Sequence, residues 1–434
     1  MTNAQSPETS PETPSKAAPD ASSNAHAASS EPSQPPRELC LFLVAGEHSG
    51  DALGAGLMRA ITANRQWGVR YRGVGGPLMQ AEGLVSLFPL SDVAVMGAVA
   101  VLKRLPHLVR RVHQTVDAAI AAEPDAVVII DSPDFTHPIA KRLRRRRPGI
   151  PIIDYVSPSV WAWRPGRARR MRAYVDHVLG LLPFEPAAHA RLGGPLCSYV
   201  GHPLIERLAW LRALEPAPLA ERLGLSADAT KADPTRPVLV MLPGSRRSEV
   251  ERLLASFAGA IAELQQQGYR PQVIIPVVPH VRELIEAQMQ AWDFPAHIIS
   301  DETDKWRAFK LARAALAASG TVTLELALAG TPIVVGYRVD RLIAPFLRRM
   351  IKAPTIILPN LVLGEQAFTE YVQEDCTPAK LAAALAEIIA DGPARAAQLA
   401  ALARIPGLMA LAQGTPSEAA AAIVLEHAEP GAPR

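Results

Sequence analysis

The sequence predicts an α/β protein built from two parallel-sheet domains in series. Three observations predict it. Short apolar runs recur along the chain, each closed by Gly, Ser or Asp and followed by helical periodicity, which is the βα rhythm of a parallel sheet. That rhythm is interrupted near residues 215–237 by a stretch holding Pro216, Pro218, Pro234 and Pro237, and it then starts again. Finally, 434 residues exceed what one ordinary core organises.

Residues 1–37 are rich in Ser, Pro, Ala and Glu with almost no large apolar side chains, so they bury too little to offset the entropy of ordering and read as a disordered tail. Residues 38–214 form the first domain, with strands expected at Leu39–Ala45, Val69–Val74, Ala126–Asp131, Ile150–Val156 and His177–Leu182. Residues 215–237 form the linker, with a short helix at Leu219–Leu223 between Pro218 and Gly224. The second domain, residues 238–427, has strands expected at Val238–Leu242, Gln272–Val277, His297–Ser300, Ala314–Ala318 and Ile333–Tyr337, then Ala-rich helices from Pro378 onward. Two Rossmann-like units of this kind bind ligands at the carboxyl ends of their strands, so chemistry is expected in a cleft between facing domains.

Composition narrows the class. Hydrophobic residues at 49% with 20% charged residues exclude a disordered or fibrous chain. The net charge of +3 conceals basic clusters that lie mostly before residue 175. Cys40, Cys197 and Cys376 are odd in number and lack both a disulfide framework and metal-ligand spacing, which fits a reducing cytoplasm. No run reaches the roughly 18 apolar residues a spanning helix needs, and no signal core opens the chain.

The motifs follow the strands. Gly46-Glu47-His48-Ser49-Gly50-Asp51 leaves the first strand, and its glycines admit a ligand close to the backbone. It is neither GxGxxG nor a phosphate-binding P-loop, so a plain turn capped by Ser49 or Asp51 explains it as well. Asp131, at the tip of a buried strand before Pro133, is placed for general-base work or for satisfying loop amides; Asp134 reads as a helix cap. Tyr155 to Arg164 is an aromatic, hydroxyl-rich loop leading into a helix bearing Arg167, Arg169, Arg170 and Arg172. Trp161 and Trp163 suit sugar stacking beside phosphate-pairing arginines, though loop–core packing explains Trp161 as readily. No nucleic-acid recognition motif accompanies the charge.

In the second domain, Gly244, Ser245 and Arg246 follow a strand directly and offer amides and a guanidinium to a diphosphate, or serve as capping residues with a solvated Arg; Ser248 and Glu251 have capping-box spacing. Ser319, Gly320 and Thr321 open a helix with small residues that admit a phosphate. Glu325, amid Leu324, Leu326 and Leu328, sits one turn on, where a carboxylate accepts two ribose hydroxyls.

A helix expected over Val95–Val112 carries Ala98, Val101, Leu102, Leu105, Val109 and Val112 on one face and Lys103, Arg104, His107, Arg110 and Arg111 on the other. Ordinary core helices divide in the same way and Pro106 is expected to kink this one, but a basic rather than mixed polar face suits an interfacial helix on anionic lipid, and Lys141 to Arg147 adds a further basic patch.

Taken together, VAGEHSGD (44–51), AVMG (94–97), DSPDF (131–135), YVSPSVWAWR (155–164), LPFE (182–185), GHP (201–203), LPGSR (242–246), ASGTVTLE (318–325), VVGYR (334–338) and LPNL (358–361) resemble the lipid-A-disaccharide synthases, in order from about Leu39 to Leu381. The resemblance implies a GT-B fold and an inverting, metal- and cofactor-independent glycosyl transfer. Its substrates would be UDP-2,3-diacylglucosamine and 2,3-diacylglucosamine 1-phosphate. It implies a cytoplasmic enzyme peripheral to the inner membrane, and a homodimer formed by exchange of C-terminal segments. By motif it assigns Asp131 and Arg246 to catalysis and Glu325 and Asn360 to UDP binding, and places the Gly46–Asp51 loop on the acceptor side. A UDP-sugar epimerase, a transferase for a peptidoglycan precursor and a non-enzymatic sugar-nucleotide or lipid-tethering module are the rivals. UDP release with and without an acylated sugar phosphate separates them.

Overall fold

In the computed structural model, residues 38–429 are described apart from 65–67, 95–97, 226–232, 341–343, 345–348 and 352. The tail expected over residues 1–37 lies outside them. The first sheet is built from β1 (Leu39–Ala45), β2 (Val69–Val74), β3 (Val85–Ser86), β4 (Ala126–Ile130), β5 (Ile152–Tyr155), β6 (His177–Gly180) and β7 (Leu196–Tyr199). Its order is β3-β2-β1-β4-β5-β6-β7, parallel throughout. The second contains β8 (Val238–Leu242), β9 (Gln272–Pro276), β10 (Ala296–Ile299), β11 (Ala314–Ala317), β12 (Ile333–Tyr337) and β13 (Thr369–Val372), in the order β10-β9-β8-β11-β12-β13. Its pairings are also parallel.

β1, β4 and β8, at the middle of their sheets, are wholly apolar because helices cover both faces of a parallel sheet. Every residue of β1, β4 and β8 is buried. The strands absent from the sequence reading, β3, β7 and β13, are edge strands with mostly half-exposed residues, so no continuous apolar run announces them.

In both sheets the chain fills one side and then crosses to the other, so the order reverses between β1 and β4 and again between β8 and β11. At such a reversal the two flanking loops diverge and leave a crevice at the carboxyl ends of the strands. The topology therefore fixes two places for ligands before any side chain is considered.

From Glu38 the chain forms one compact unit holding both sheets. Leu182, Leu211 and Leu214 of the first half share a core with Val240, Leu326 and Ile333 of the second, and Trp161, Phe184 and Leu204 pack against it. The last helix, Pro416–Ala428, was expected within the second domain but belongs to the core of the first sheet. Ala420, Ala421, Val424 and Leu425 pack with Leu43, Leu57 and Ile130. Its Ala-rich sequence suits close approach, and His427 meets His177 of β6 at 3.0 Å.

The helix expected over Val95–Val112 spans Ala98–Ala122 and continues through Pro106. Residues 95–97 and the side chains of Val101 and Leu102 lie outside what is described. Leu105 and Val109 are exposed, whereas Val112 is buried beside Phe42 and Val116. The apolar stripe therefore divides: its later part is core, and the Leu105–Val109 stretch faces solvent. The basic face is partly neutralised, since Arg111 and His107 both pair with Asp92. Among the described residues no helix is long and apolar enough to cross a membrane.

Candidate active site

At the first reversal, the loop after β1 meets the loop after β4. Ser49 Oγ donates to Asp131 Oδ2 at 2.8 Å, and Ser132 Oγ donates to Glu47 Oε1 at 2.8 Å, so two hydrogen bonds bridge the crevice. The approach is close: a Cβ on Gly46 would lie 2.3 Å from that of Ser132, which only glycine avoids. Asp131 and Ser132 are both left-handed, with φ of 55° and 45°. Each such non-glycine residue costs roughly 1 kcal/mol or more, and strain of this kind concentrates at functional sites. It is held by the Asp131 amide donating to Tyr155 O, by the Ser132 amide donating to Asp131 Oδ1 at 2.7 Å, and by Thr136 Oγ1 donating to Asp131 O. Asp131 is half-buried; its carboxylate is presented at the strand tip with two donors fixing its orientation.

At the second reversal, a cavity of about 400 Å³ opens between the loops after β8 and β11. Gly244, Ser245 and Arg246 form one wall, and Ser319, Gly320, Thr321 and Glu325 the other. Gly244 has φ 117°, and a Cβ there would strike Glu249 at 2.5 Å. The loop leads into helix Arg247–Gln266, whose N-cap is Arg246, two residues earlier than the Ser248 cap expected from the spacing. The capping carboxylate is Glu249 rather than Glu251: Glu249 Oε2 accepts from the amides of Ser245 and Arg246 at 3.2 and 3.3 Å, while Glu251 pairs with Arg247. Arg246 is largely exposed and lies 2.9 Å from Glu249 Oε1. Opposite, Ser319 Oγ donates to Ile356 O at 2.7 Å, anchoring the strand end, and Gly320 at φ 153° turns the chain into helix Val322–Ala329.

A crevice of this size, lined by a helix start, an arginine and a carboxylate one turn inside a second helix, accommodates a nucleoside diphosphate. The family described as Lipid-A-disaccharide synthetase matches residues 41–424. The chain is 51% identical over 393 residues to the lipid-A-disaccharide synthase of Nitrobacter hamburgensis, covering 90% of this chain and 96% of that one. It is 42% identical over 389 residues to that of Rhodospirillum centenum, covering 90% and 94%.

The chain belongs to this family.

Solved structures agree on the fold. A UDP-GlcNAc 2-epimerase from Neisseria meningitidis bound to UDP-GlcNAc is similar at TM-score 0.58 and 12% identity, over 89% of this chain and 99% of that chain. The calicheamicin glycosyltransferase CalG4 is similar at TM-score 0.53 and 17% identity, over 92% and 100%. The fold is GT-B, as the resemblance in the sequence implies.

Within that frame some motif residues stand apart from the two crevices. Asp51, expected on the acceptor side, is 2% exposed and accepts from the amides of Gly76, Leu78 and Met79, so it caps helix Pro77–Ala81. Asn360, expected at UDP, is 1% exposed. Its Oδ1 accepts from Ala367 and Phe368, and its Nδ2 donates to Phe368 O and Thr355 Oγ1, so it ties the loop before β13 together. Trp161 packs edge-on against Phe184 and donates to Glu185, which is the loop-packing alternative, whereas Trp163 lies under the guanidinium of Arg164 at 4.2 Å.

Other residues enter unannounced. Lys305, on helix Glu302–Leu311, lies 3.1 Å from Glu325 Oε2 and 3.0 Å from Glu302. Its position after β10 at the carboxyl edge of the same sheet is the signal that could have found it. Glu185 is 3% exposed, and burial pushes its carboxyl up to about 7. Among the described residues no three His, Cys, Asp or Glu side chains gather as metal ligands.

Proposed function

We propose that this protein transfers 2,3-diacylglucosamine from its UDP carrier to 2,3-diacylglucosamine 1-phosphate, forming the β-1,6-linked disaccharide 1-phosphate of lipid A biosynthesis and releasing UDP. The observation that carries the reading is the pairing, within one family member, of a nucleotide-sized cavity at the second reversal with a strained, presented carboxylate at the first.

On the donor side, Arg246 and the backbone at Gly320–Thr321 meet the diphosphate, and Glu325 accepts the ribose hydroxyls in place of its ion pair with Lys305. Arg246 is held to Glu249 by an exposed pair of small energetic weight, so it is available to a stronger anion. As the anomeric C–O bond breaks, the charge that develops on the departing diphosphate is stabilised by this cation and these dipoles. On the acceptor side, the sugar hydroxyl takes the place of Ser49 Oγ at Asp131 Oδ2. Its oxygen attacks the anomeric carbon from the face opposite UDP, and its proton passes to Asp131. The C–O bond that forms and the one that breaks lie in line, which inverts the centre. Glu47 holds the crevice in this geometry through its bond to Ser132 of the β4 loop, while the Ser49 hydroxyl is released to the incoming sugar.

The acyl chains keep the substrates at the cytoplasmic face of the inner membrane. Leu105 and Val109, flanked by Arg104 and Arg110, supply the described part of a surface that meets it, with Val101 and Leu102 continuing the stripe in sequence. A homodimer belongs to the same reading.

The test is product formation. Purified protein with the UDP-diacylglucosamine should release UDP only when diacylglucosamine 1-phosphate is added, with a disaccharide of matching mass. UDP release without acceptor, or interconversion of the donor sugar, would replace transfer by hydrolysis or epimerisation.

A further inference from the structure

A second polar cavity, of about 360 Å³, lies along helix Pro133–Arg146 and is not used by the mechanism above. Its wall carries four cations, Lys141, Arg164, Arg167 and Arg170, and one acid, Asp134. Arg167 Nη2 lies 3.2 Å from Asp134, whose own side chain is almost fully exposed, so this pair offsets little of the positive charge. Arg164 and Arg167 are both set over the Trp163 ring, at 4.2 and 6.0 Å, and Lys141 over Tyr174 at 5.0 Å. The floor is fixed: Tyr174 OH lies 3.1 Å from His137 Nδ1, and His137 Nε2 lies 3.2 Å from Asp154.

Such crowding is unfavourable without an anion. Desolvation, followed by the repulsion of Arg170, Arg167, Arg145 and Arg142, holds the Lys141 ammonium below its ordinary range. Position adds to charge. Pro133, His137 and Lys141 recur every fourth residue, so the cavity follows one helix face, and that helix begins directly after Asp131-Ser132. Its near end is thus within one turn of the presented carboxylate, at a helix N-terminus that also favours negative charge.

We propose that this cavity binds the phosphate monoester of the acceptor, seated by Lys141, Arg167 and Arg170, so that the far side of the same sugar carries its hydroxyl to Asp131. The inference rests on the transfer reading above and names the acceptor-anchoring residues. A phosphate monoester carries close to two negative charges and three acceptor oxygens, which matches several convergent cations better than a single carboxylate would. It also gives the reaction a reason to demand phosphate on a group remote from the reacting hydroxyl: binding there orients the attack.

The experiment uses the full chain and the variant Lys141→Gln/Arg170→Gln, with Lys141→Gln alone as a milder second. Glucosamine 1-phosphate, titrated against tryptophan fluorescence, should bind the parent in a salt-dependent way and the double variant at least tenfold more weakly, with glucosamine binding neither. UDP affinity should be equal in all three proteins. The KM for diacylglucosamine 1-phosphate should rise tenfold or more while that for the UDP-sugar stays within twofold. Removing a cation from a cluster of like charges should leave the melting temperature of the unliganded protein unchanged or raised, which separates the effect from misfolding. Equal binding of glucosamine 1-phosphate by parent and variants would overturn the proposal. So would loss of binding to phosphatidylglycerol vesicles with an unchanged acceptor KM, because the cations would then serve lipid headgroups. A chain that binds glucosamine 1-phosphate through Lys141 but forms no disaccharide would remove the transfer reading and leave the phosphate site standing.

Discussion

The crevice between β1 and β4 and the crevice between β8 and β11 occupy the same place in the same topology, yet they are furnished differently. The first is closed by short hydrogen bonds among Ser49, Asp131, Ser132 and Glu47 and carries backbone strain at two adjacent residues. The second is an open cavity whose charged groups, Arg246 with Glu249 and Lys305 with Glu325, are paired across exchangeable contacts. The contrast extends into the cores. Among the described residues, every buried Asp, Glu or His lies in the first half: Asp51, His137, Asp154, His177, Glu185 and His189. The second half buries hydroxyls, amides and Arg313 instead. In the division of labour proposed above, the half assigned proton transfer keeps titratable groups inside its fold, and the half assigned the diphosphate works with fixed charges and dipoles.

The comparison is broken most sharply at Asp131. Asn keeps the shape and one acceptor oxygen for the Ser49 hydroxyl but cannot take a proton. Turnover of Asp131→Asn should fall by about 10²–10⁴-fold, the usual contribution of a positioned base. UDP affinity, measured by calorimetry, should stay within twofold of the parent, since the donor cavity is built from other loops. Turnover within a few-fold of the parent would remove Asp131 from the role of base and leave its strained backbone as a purely structural feature of the β4 loop.

Glu325 is the corresponding break on the other side, and a smaller one. Glu325→Ala removes hydrogen bonds to a bound ribose, each worth about 1.5–3 kcal/mol for a charged acceptor, but it also frees Lys305. UDP should bind roughly tenfold to a hundredfold more weakly, and turnover at saturating donor should change much less. A fall in turnover without loss of UDP affinity would mean that the two crevices do not divide binding and proton transfer as described.

These positions also show how much was legible in the sequence. The two sheets were readable because their central strands are buried on both faces, so Leu39–Ala45 and Val238–Leu242 stand out as apolar runs. The edge strands have no such signature. Motif loops directly after the central strands β4, β8 and β11 marked Asp131, Arg246 and Glu325 as candidates, since strand order alone decides that such loops open on a crevice. What a linear reading could not supply was the partner of each polar group. Asp51 and Asn360 have the residue types of ligand-binding positions but are satisfied by backbone amides from 25 and 7 or 8 residues away. Glu249 and Glu251 are both acids in the first turns of one helix, and only the path of the loop shows which carboxylate reaches the amides. The last helix carries no mark of its destination, because an Ala-rich face packs equally well on either sheet.

The smallest effect tests the buried titratable groups of the first half. Glu185 Oε1 accepts from Trp161 Nε1 at 3.3 Å and Oε2 from the Leu182 amide at 3.0 Å, yet burial outweighs both bonds and lifts the carboxyl from 4.5 to about 7. A raised folded-state pKa means that the native protein binds this proton more tightly than the unfolded chain. The stability it contributes is therefore fully present below about pH 4.5 and is lost as pH rises through 7. Desolvation works the opposite way on His177 and His202, which burial lowers from 6.5 to about 4, so their contribution is lost as pH falls through that range. Glu185→Gln isolates the first slope. The amide retains one acceptor oxygen for two donors, so the variant should be about 1 kcal/mol less stable than the parent at pH 5. Near pH 8.5 the parent must hold a buried carboxylate and the variant need not, so the gap should close or reverse, as read from urea denaturation at both pH values. A gap that widens with pH would mean that Glu185 is stabilised as the anion in the fold, and it would remove Glu185 from the groups whose burial opposes their charge.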